Sequence, residues 1–252
     1  MKNYYDALSE LYHNYNMLEN GIDILLHDKC CFYENCWTKE MKISKGVDWN
    51  KISFPHIGEK YNRGLMCIGI NMHDHGGINA IPRVVESVKK LLISGKKKYK
   101  TSFLWHRIAV YSNIILNKKI SPDDGYELSD VYNNIAFVNA IKCSPMSKKN
   151  IGKNDRSTPM DNMWKFCPEN ILYKEITILQ PKMILILGNQ LSEILSKKCI
   201  GEIQRSKNIA YYEIMLEGNP IKILRIKHPA SPGGCKKEIY KELLSLCLRA
   251  SV

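Results

Sequence analysis

The sequence predicts an α/β fold, with a doubly wound, largely parallel central sheet flanked by helices. Short apolar runs alternate along the chain with stretches of helical spacing, as expected of parallel strands joined by crossover helices. The length of 252 residues and the 44% hydrophobic content suffice for one substantial core. We therefore predict a single domain over residues 1–252.

Four apolar runs are predicted to be buried strands, because each is short and bounded by turn residues or by helical segments. These runs cover residues 65–70, 135–141, 183–187 and 221–226. In a doubly wound sheet the ligand binds beyond the carboxyl ends of the strands. Polar residues at those ends are therefore the first functional candidates, and they are Asn71 to His75, Asn139, and His228 to Ser231.

Helical spacing of apolar residues predicts the segments that flank this sheet. An N-terminal helix is predicted within residues 1–27, where the apolar pattern begins at Leu8 and ends near Gly21. Further helices are predicted around residues 84–92, 168–179, 191–195 and 239–248. Glu175 shares the inner stripe of one of these helices with apolar residues. The segment 146–160 is polar, basic and without periodicity, which predicts an exposed insertion.

The chain carries 37 Lys and Arg against 25 Asp and Glu, a net charge of +12. This excess favours a polyanionic partner, here DNA, through neutralisation of phosphates and release of counterions. The alternative is that the charge serves solubility alone. No apolar run is long enough to span a bilayer, and the first residues lack the features of a signal peptide. We expect a cytoplasmic protein with no membrane partner and no obligate protein partner.

Nine cysteines are many for a chain in a reducing compartment, where clustered thiols favour metal binding over disulfides. Cys30, Cys31 and Cys36 share one short segment, Cys143 follows the second predicted strand, and Cys167 precedes a predicted helix. Thiolates from these places could hold an iron–sulfur cluster or a structural zinc ion. The alternative is a set of small buried hydrophobic residues. The remaining cysteines are predicted to be structural: Cys67, Cys199, Cys235 and Cys247.

Several motifs follow one another in an order that resembles that of a known protein family. The stretch 138–145 (VNAIKCSP), then Cys167, then the stretch 180–188 (QPKMILILG) resemble the iron–sulfur branches of the uracil-DNA glycosylase superfamily, families 4 and 5. The sequence 228–231 (HPAS) is similar to the final His-Pro-Ser motif of that superfamily. The resemblance implies a uracil-DNA glycosylase-like fold. It also implies a 4Fe-4S cluster held by Cys36, Cys143, Cys167 and Cys31, with Cys30 as the alternative to Cys31.

At the position of the superfamily's first motif, the chain combines residues that are similar to the motifs of different branches. Gly69-Ile70-Asn71 is similar to the Gly-x-Asn-Pro-Gly of the mismatch-specific branch, whose Asn positions the attacking water, but Met72-His73 replaces Pro-Gly. His75-Gly76 resembles the Ala-His-Gly of family 5, and Asp74 precedes it. The Gly-x-Pro-Phe of family 4 is absent. The resemblance implies that Asn71 or Asp74 orients water and that His228 serves the departing base.

The chemistry of base removal supports these assignments from the residues themselves. Cleavage of an N-glycosidic bond needs a group that positions water and a donor to the oxygen of the base. Asn139 can donate and accept at once, which suits the edge of a flipped pyrimidine. The alternative is that Asn139 is only a turn residue at a strand end and that His228 only caps a loop. The residues expected to contact substrate are Gly69, Ile70, His75, Asn139 and Ser231.

The expected function is that of a monofunctional DNA glycosylase, which flips a damaged or modified pyrimidine, hydrolyses its glycosidic bond and leaves an abasic site for base-excision repair. The alternative, which the changed first motif favours, is that the pocket accepts a bulkier base than uracil. An example is the glucosylated hydroxymethylcytosine of phage DNA, whose removal would serve antiviral defence. The rival from another class is a non-catalytic iron–sulfur module that binds DNA.

Overall fold

The computed structural model describes residues 4–17, 30–32, 36, 52, 54–70, 80–94, 100–121, 125–143, 161–228 and 237–249. These residues form an α/β fold of helices and one seven-stranded sheet. Contacts divide the chain into two compact units. The first unit comprises Met1–Pro55, Gly69–Ile81 and Val138–Gln180, and the second comprises His56–Ile68, Pro82–Phe137 and Pro181–Val252. The single domain stays a prediction.

Almost all of the sheet belongs to the second unit. Its strands are β1 (His56–Ile57), β2 (Leu65–Gly69), β3 (Ile135–Asn139), β4 (Met183–Leu187), β5 (Gln204–Arg205), β6 (Ile209–Leu216) and β7 (Asn219–Ile226). Their order across the sheet is β1-β3-β2-β4-β7-β6-β5. The four predicted strands are confirmed as the neighbours β3, β2, β4 and β7, and every residue of β2, β3 and β4 is buried. Strands buried on both faces explain why these segments are continuous apolar runs.

The sheet is parallel in the middle, as predicted, and antiparallel pairs at its edges make it a mixed sheet. β2, β4 and β7 are parallel in the middle, whereas β1 pairs antiparallel with β3, and β6 pairs antiparallel with both β7 and β5. β6 and β7 form a hairpin whose turn residues, Glu217 and Gly218, both have positive φ, at 48° and 78°. Such a turn matches the twist of the two strands.

The doubly wound arrangement of the glycosylases stays a prediction.

The helices of the described residues include all those that the sequence predicts. They are α1 (Tyr4–Asn14), α2 (Ala80–Ile93), α3 (Lys100–Asn117), α4 (Gly125–Asn134), α5 (Asp161–Cys167), α6 (Tyr173–Leu179), α7 (Gln190–Ser196) and α8 (Lys237–Arg249). A π-helical turn, Pro168–Leu172, joins α5 to α6, so this helical segment starts before the predicted residue 168. None of the described helices has the length and apolar character that crossing a lipid bilayer requires.

The N-terminal helix is shorter than predicted. It ends at Asn14 instead of near Gly21, because Asn16 adopts a left-handed conformation with φ of 55°. The amide of Met17 then donates to the carbonyl of Tyr12 at 2.9 Å, a bond that closes the C-terminus of a helix. Residues 18–29 and the predicted insertion 146–160 lie outside the described residues.

Acid should destabilise the second unit through His56. Its Nε2 lies 2.9 Å from the carbonyl oxygen of Tyr132, and because a carbonyl can only accept, this nitrogen carries the proton. Burial lowers the pKa of His56 below its ordinary value, and the hydrogen bond to Tyr132 opposes this only in part. The unfolded chain therefore binds the proton more readily, so the free energy of unfolding should fall as the pH drops below about 6.5.

Urea denaturation at a series of pH values from neutral to mildly acidic measures this effect. The His56→Gln variant, which keeps a side-chain donor, should lose less stability on acidification than the wild type. His13→Gln on α1 is the matched control and should keep the wild-type pH dependence. Equal pH dependence of His56→Gln and the wild type would contradict the assignment.

Candidate functional site

Two predicted site segments lie side by side where β2 and β3 end. The amide of Ala140 donates to the carbonyl of Gly69, and the amide of Ile141 donates to that of Ile70, both at 2.9 Å. Asn139, the last residue of β3, is only 3% exposed. The structure therefore brings the chain at Asn139 next to Gly69 and Ile70, the two residues that lead into Asn71.

A buried ion pair holds the end of β3 in place. Lys142 is 1% exposed, and its Nζ donates to the Asn139 carbonyl oxygen at 2.5 Å and to Oε2 of Glu175. The hydroxyl of Tyr12 on α1 donates to Oε1 of Glu175 at 2.6 Å. Both oxygens of the carboxylate are thus satisfied by donors from separate parts of the chain. The pair thus holds the backbone at Asn139 in place.

Burial and charge act in opposite directions on this pair. Burial raises the pKa of Glu175 above its ordinary value, while the Lys142 ammonium and the Tyr12 hydroxyl lower it. Burial likewise raises the pKa of Tyr12 well above its ordinary value, and Glu175 adds to this. A buried charge is tolerated when it is paired and hydrogen-bonded, as this carboxylate is.

Sequence reasoning did not assign this pair to the site. The signal was present, because Glu175 occupies the inner stripe of a predicted helix and a carboxylate buried there requires a partner. The sequence does not identify that partner, since Lys142 lies 33 residues away.

Four of the five candidate metal ligands influence one another electrostatically. Cys36, Cys143 and Cys167 are buried, Cys30 is half-buried and Cys31 is exposed. Burial raises the pKa of Cys36 to about 12, and the nearby thiols of Cys167, Cys30 and Cys31 act in the same direction. Burial also raises the pKa of Cys30 to about 12, with smaller contributions from Cys167 and Cys31. The structure therefore brings the short cysteine segment close to Cys167.

Backbone and ring contacts hold this segment in place. The amide of Cys31 donates to the carbonyl of Tyr15 at 3.1 Å, just after α1. The ring of Phe32 stacks on that of Phe166 in α5, with centroids 5.9 Å apart. The residue before Cys143 also lies next to Cys167, because the backbone amide of Lys142 forms a hydrogen bond with the Cys167 thiol.

The thiols suit a metal by their chemistry. Soft thiolates gathered from several segments are the ligands that zinc and iron–sulfur clusters prefer. Within the described ranges, no group of three or more His, Cys, Asp and Glu side chains is placed so that it could hold a metal ion. The cluster and its ligand set therefore stay a prediction.

The remaining predicted site residues are placed differently. Asn71, Asp74, His75 and Ser231 lie outside the described residues. His228 follows β7, is half-buried and belongs to the second unit. Its role as a donor to the departing base stays a prediction.

Comparison with known proteins adds no assignment. No family model matches the chain, and no curated protein matches it.

Proposed function

We propose that the protein is a monofunctional DNA glycosylase that flips a damaged or modified pyrimidine out of DNA and hydrolyses its N-glycosidic bond. The observation that carries this proposal is the buried Asn139 at the end of β3, beside the residues that lead into Asn71. An amide presents a donor and an acceptor together, which matches the edge of a pyrimidine. Asn139 is therefore assigned to recognition of the flipped base.

The reaction exchanges one bond for another. The oxygen of a water molecule bonds to C1′ of the deoxyribose as the bond from C1′ to the base nitrogen breaks. The proton that water loses balances the proton that the departing base gains. Asn71 or Asp74 orients the water, and His228 donates a hydrogen bond to the base oxygen, where negative charge develops.

Lys142 and Glu175 act as positioning residues in this scheme. The Lys142 ammonium holds the backbone carbonyl of Asn139, and Glu175 holds the ammonium, so the backbone that carries the Asn139 side chain is fixed before the base arrives. Such preorganisation avoids a rearrangement at the moment of binding. Neither residue needs to contact the substrate.

The thiols of Cys36, Cys143 and Cys167 would hold a 4Fe-4S cluster together with Cys30 or Cys31; a structural zinc ion is the alternative. The cluster would tie these chain segments together. Cys30 is favoured as the fourth ligand, because it is half-buried and influenced by Cys167, whereas Cys31 is exposed.

The net charge of +12 would supply the general attraction to DNA, which should weaken steeply with added salt.

A strand-cleavage assay tests the proposed activity. Duplexes carrying uracil, hydroxymethylcytosine or glucosylated hydroxymethylcytosine are incubated with the protein and treated with alkali, which cuts at abasic sites. We expect cleavage of at least one of them, and the base preferred separates repair from antiviral defence. The absence of an abasic product from every duplex would support the non-catalytic module instead.

The Asn139→Ala variant should lose about a hundredfold in rate on the preferred duplex, as is typical when one polar group that acts on the reacting base is removed. Asn219→Ala, at an exposed position of the β6–β7 hairpin, is the matched control and should keep the wild-type rate. Circular dichroism and thermal denaturation of both variants check that the fold is retained. A wild-type rate in Asn139→Ala would contradict the role assigned to this residue.

A further inference from the structure

The second unit contains a small cavity between α7 and the antiparallel strands β5, β6 and β7. Its volume is about 120 Å³, and its lining includes Arg205, Ala210 and Arg225 on the strands and Ser192 on α7. Cavities that hold drug-sized molecules measure roughly 300–1,000 Å³, so this one suits a single small group. None of its lining residues belongs to the site proposed for base removal.

The register of the sheet places the two arginines on the same face. Arg205 is paired with Ala210 across β5 and β6, and Ala210 is paired with Arg225 across β6 and β7. Residues directly opposite each other in such a ladder point to the same side. The three residues therefore form one row in which a methyl group separates two guanidinium side chains. The small side chain of Ala210 leaves the space between them open.

The two cations have no carboxylate partner among the described residues. Arg225 donates to the carbonyl of Asn208 at 3.3 Å, and neither guanidinium takes part in an ion pair with a described residue. Burial and then the like charge of the nearby Arg205 lower the pKa of Arg225. Glu193 also lines the cavity, and one carboxylate leaves a net positive charge there.

Hydroxyl groups complete the lining. Tyr212 lies two residues after Ala210 on β6 and so shares its face of the sheet. Its hydroxyl donates to the carbonyl of Ser192 at 3.0 Å and lies 3.0 Å from the Ser192 hydroxyl, which fixes α7 against the strand. The cavity thus has a rigid polar wall beside two cations.

We propose that this cavity binds a phosphate group between the guanidinium groups of Arg205 and Arg225. The planar fork of each guanidinium matches a pair of phosphate oxygens, and an anion removes the repulsion between the two charges. The phosphate group could be a free phosphate or a phosphodiester of a polynucleotide backbone, because the chemistry of recognition is shared.

Calorimetric titration of the full chain with two probes separates these sources. Inorganic phosphate represents the free anion, and dimethyl phosphate represents the phosphodiester. Tighter binding of inorganic phosphate assigns the cavity to free phosphate or a phosphomonoester, whereas comparable binding of dimethyl phosphate assigns it to a nucleic-acid backbone. Binding of neither probe would overturn the proposal.

Three variants and one control locate the bound anion. Arg205→Gln and Arg225→Gln should each weaken binding about tenfold to a hundredfold, since each removes charged hydrogen bonds. Ala210→Leu keeps both charges but fills the space between them, and it should also weaken binding. Arg249→Gln removes the same charge from the exposed end of α8 and should bind like the wild type.

Arg205 lies on an exposed edge strand, so Arg205→Gln is expected to fold even if the variants on β6 and β7 do not. Far-ultraviolet circular dichroism identifies the variants that fold. Wild-type affinity in a folded Arg205→Gln variant would overturn the proposal, as would an equal loss of affinity in Arg249→Gln.

Discussion

Replacing Lys142 by methionine should lower the free energy of unfolding by about 3–5 kcal/mol, the range typical for a buried ion pair that loses one partner. Methionine retains much of the length of the lysine side chain but offers no donor. Glu175, which is 0% exposed, would keep only the hydrogen bond from Tyr12. Its carboxylate must then remain charged without a counter-ion or take up a proton, and both outcomes cost stability.

Urea denaturation followed by circular dichroism measures the loss. Lys60→Met is the matched control, because Lys60 pairs with Asp130 at 3.1 Å while both side chains are more than half exposed, at 62% and 52%. Breaking such a pair should change the free energy of unfolding by no more than about 1 kcal/mol. Equal losses in the two variants would contradict the importance of burial.

The double variant Lys142→Met/Glu175→Leu distinguishes the unpaired charge from lost packing. Removing both partners of a buried pair is often neutral or stabilising, since no buried charge remains. We expect the double variant to be more stable than Lys142→Met alone. A double variant that is less stable than Lys142→Met would show that packing around Glu175 dominates.

The proposed cluster predicts that replacing Cys167 by serine abolishes the iron content of the protein. Cys167 is the thiol that influences both Cys30 and Cys36, and it forms a hydrogen bond with the Lys142 amide. A hydroxyl of similar size keeps the packing but is a poor ligand for iron. The wild type, purified without oxygen, should be brown and contain iron and sulfide, and Cys167→Ser should be colourless.

Elemental analysis and visible absorbance measure these differences. Cys247→Ser is the matched control, because Cys247 is buried in α8 of the second unit and should leave the iron content unchanged. Cys30→Ser and Cys31→Ser identify the fourth ligand, and the loss is expected in Cys30→Ser. Zinc instead of iron in the wild type would favour the structural zinc ion over the cluster. Iron retained in Cys167→Ser would contradict the ligand set.

The strands that the sequence predicts correctly share one physical property. A segment such as Met183–Leu187 is buried on both faces, so each of its residues must be apolar and the run is unmistakable. β6 was missed because its burial alternates and residues such as Glu213 interrupt the apolar pattern. Its partner β7 was found, yet nothing in the sequence pattern of β7 indicates that its neighbour runs antiparallel.

The candidate site was predictable only where it follows from strand ends. Asn139 was identified because an amide at the end of an apolar run is unusual, and the structure places it beside Gly69 and Ile70. The pairing of Lys142 with Glu175 depends on tertiary packing, and the row of Arg205, Ala210 and Arg225 depends on strand register. Neither tertiary packing nor register can be derived from local patterns.

Lys142 forms hydrogen bonds through both its backbone amide and its side-chain ammonium. Its backbone amide reaches Cys167 at the end of α5, while its ammonium reaches Asn139 and Glu175. Lys142 thus links the cysteine at the end of α5 to the buried pair beside Asn139. Because residues in one hydrogen-bond network are energetically coupled, the effects of substitutions at Cys167 and at Glu175 are not additive. Neither effect alone measures what its residue contributes; only a cycle of single and double variants does.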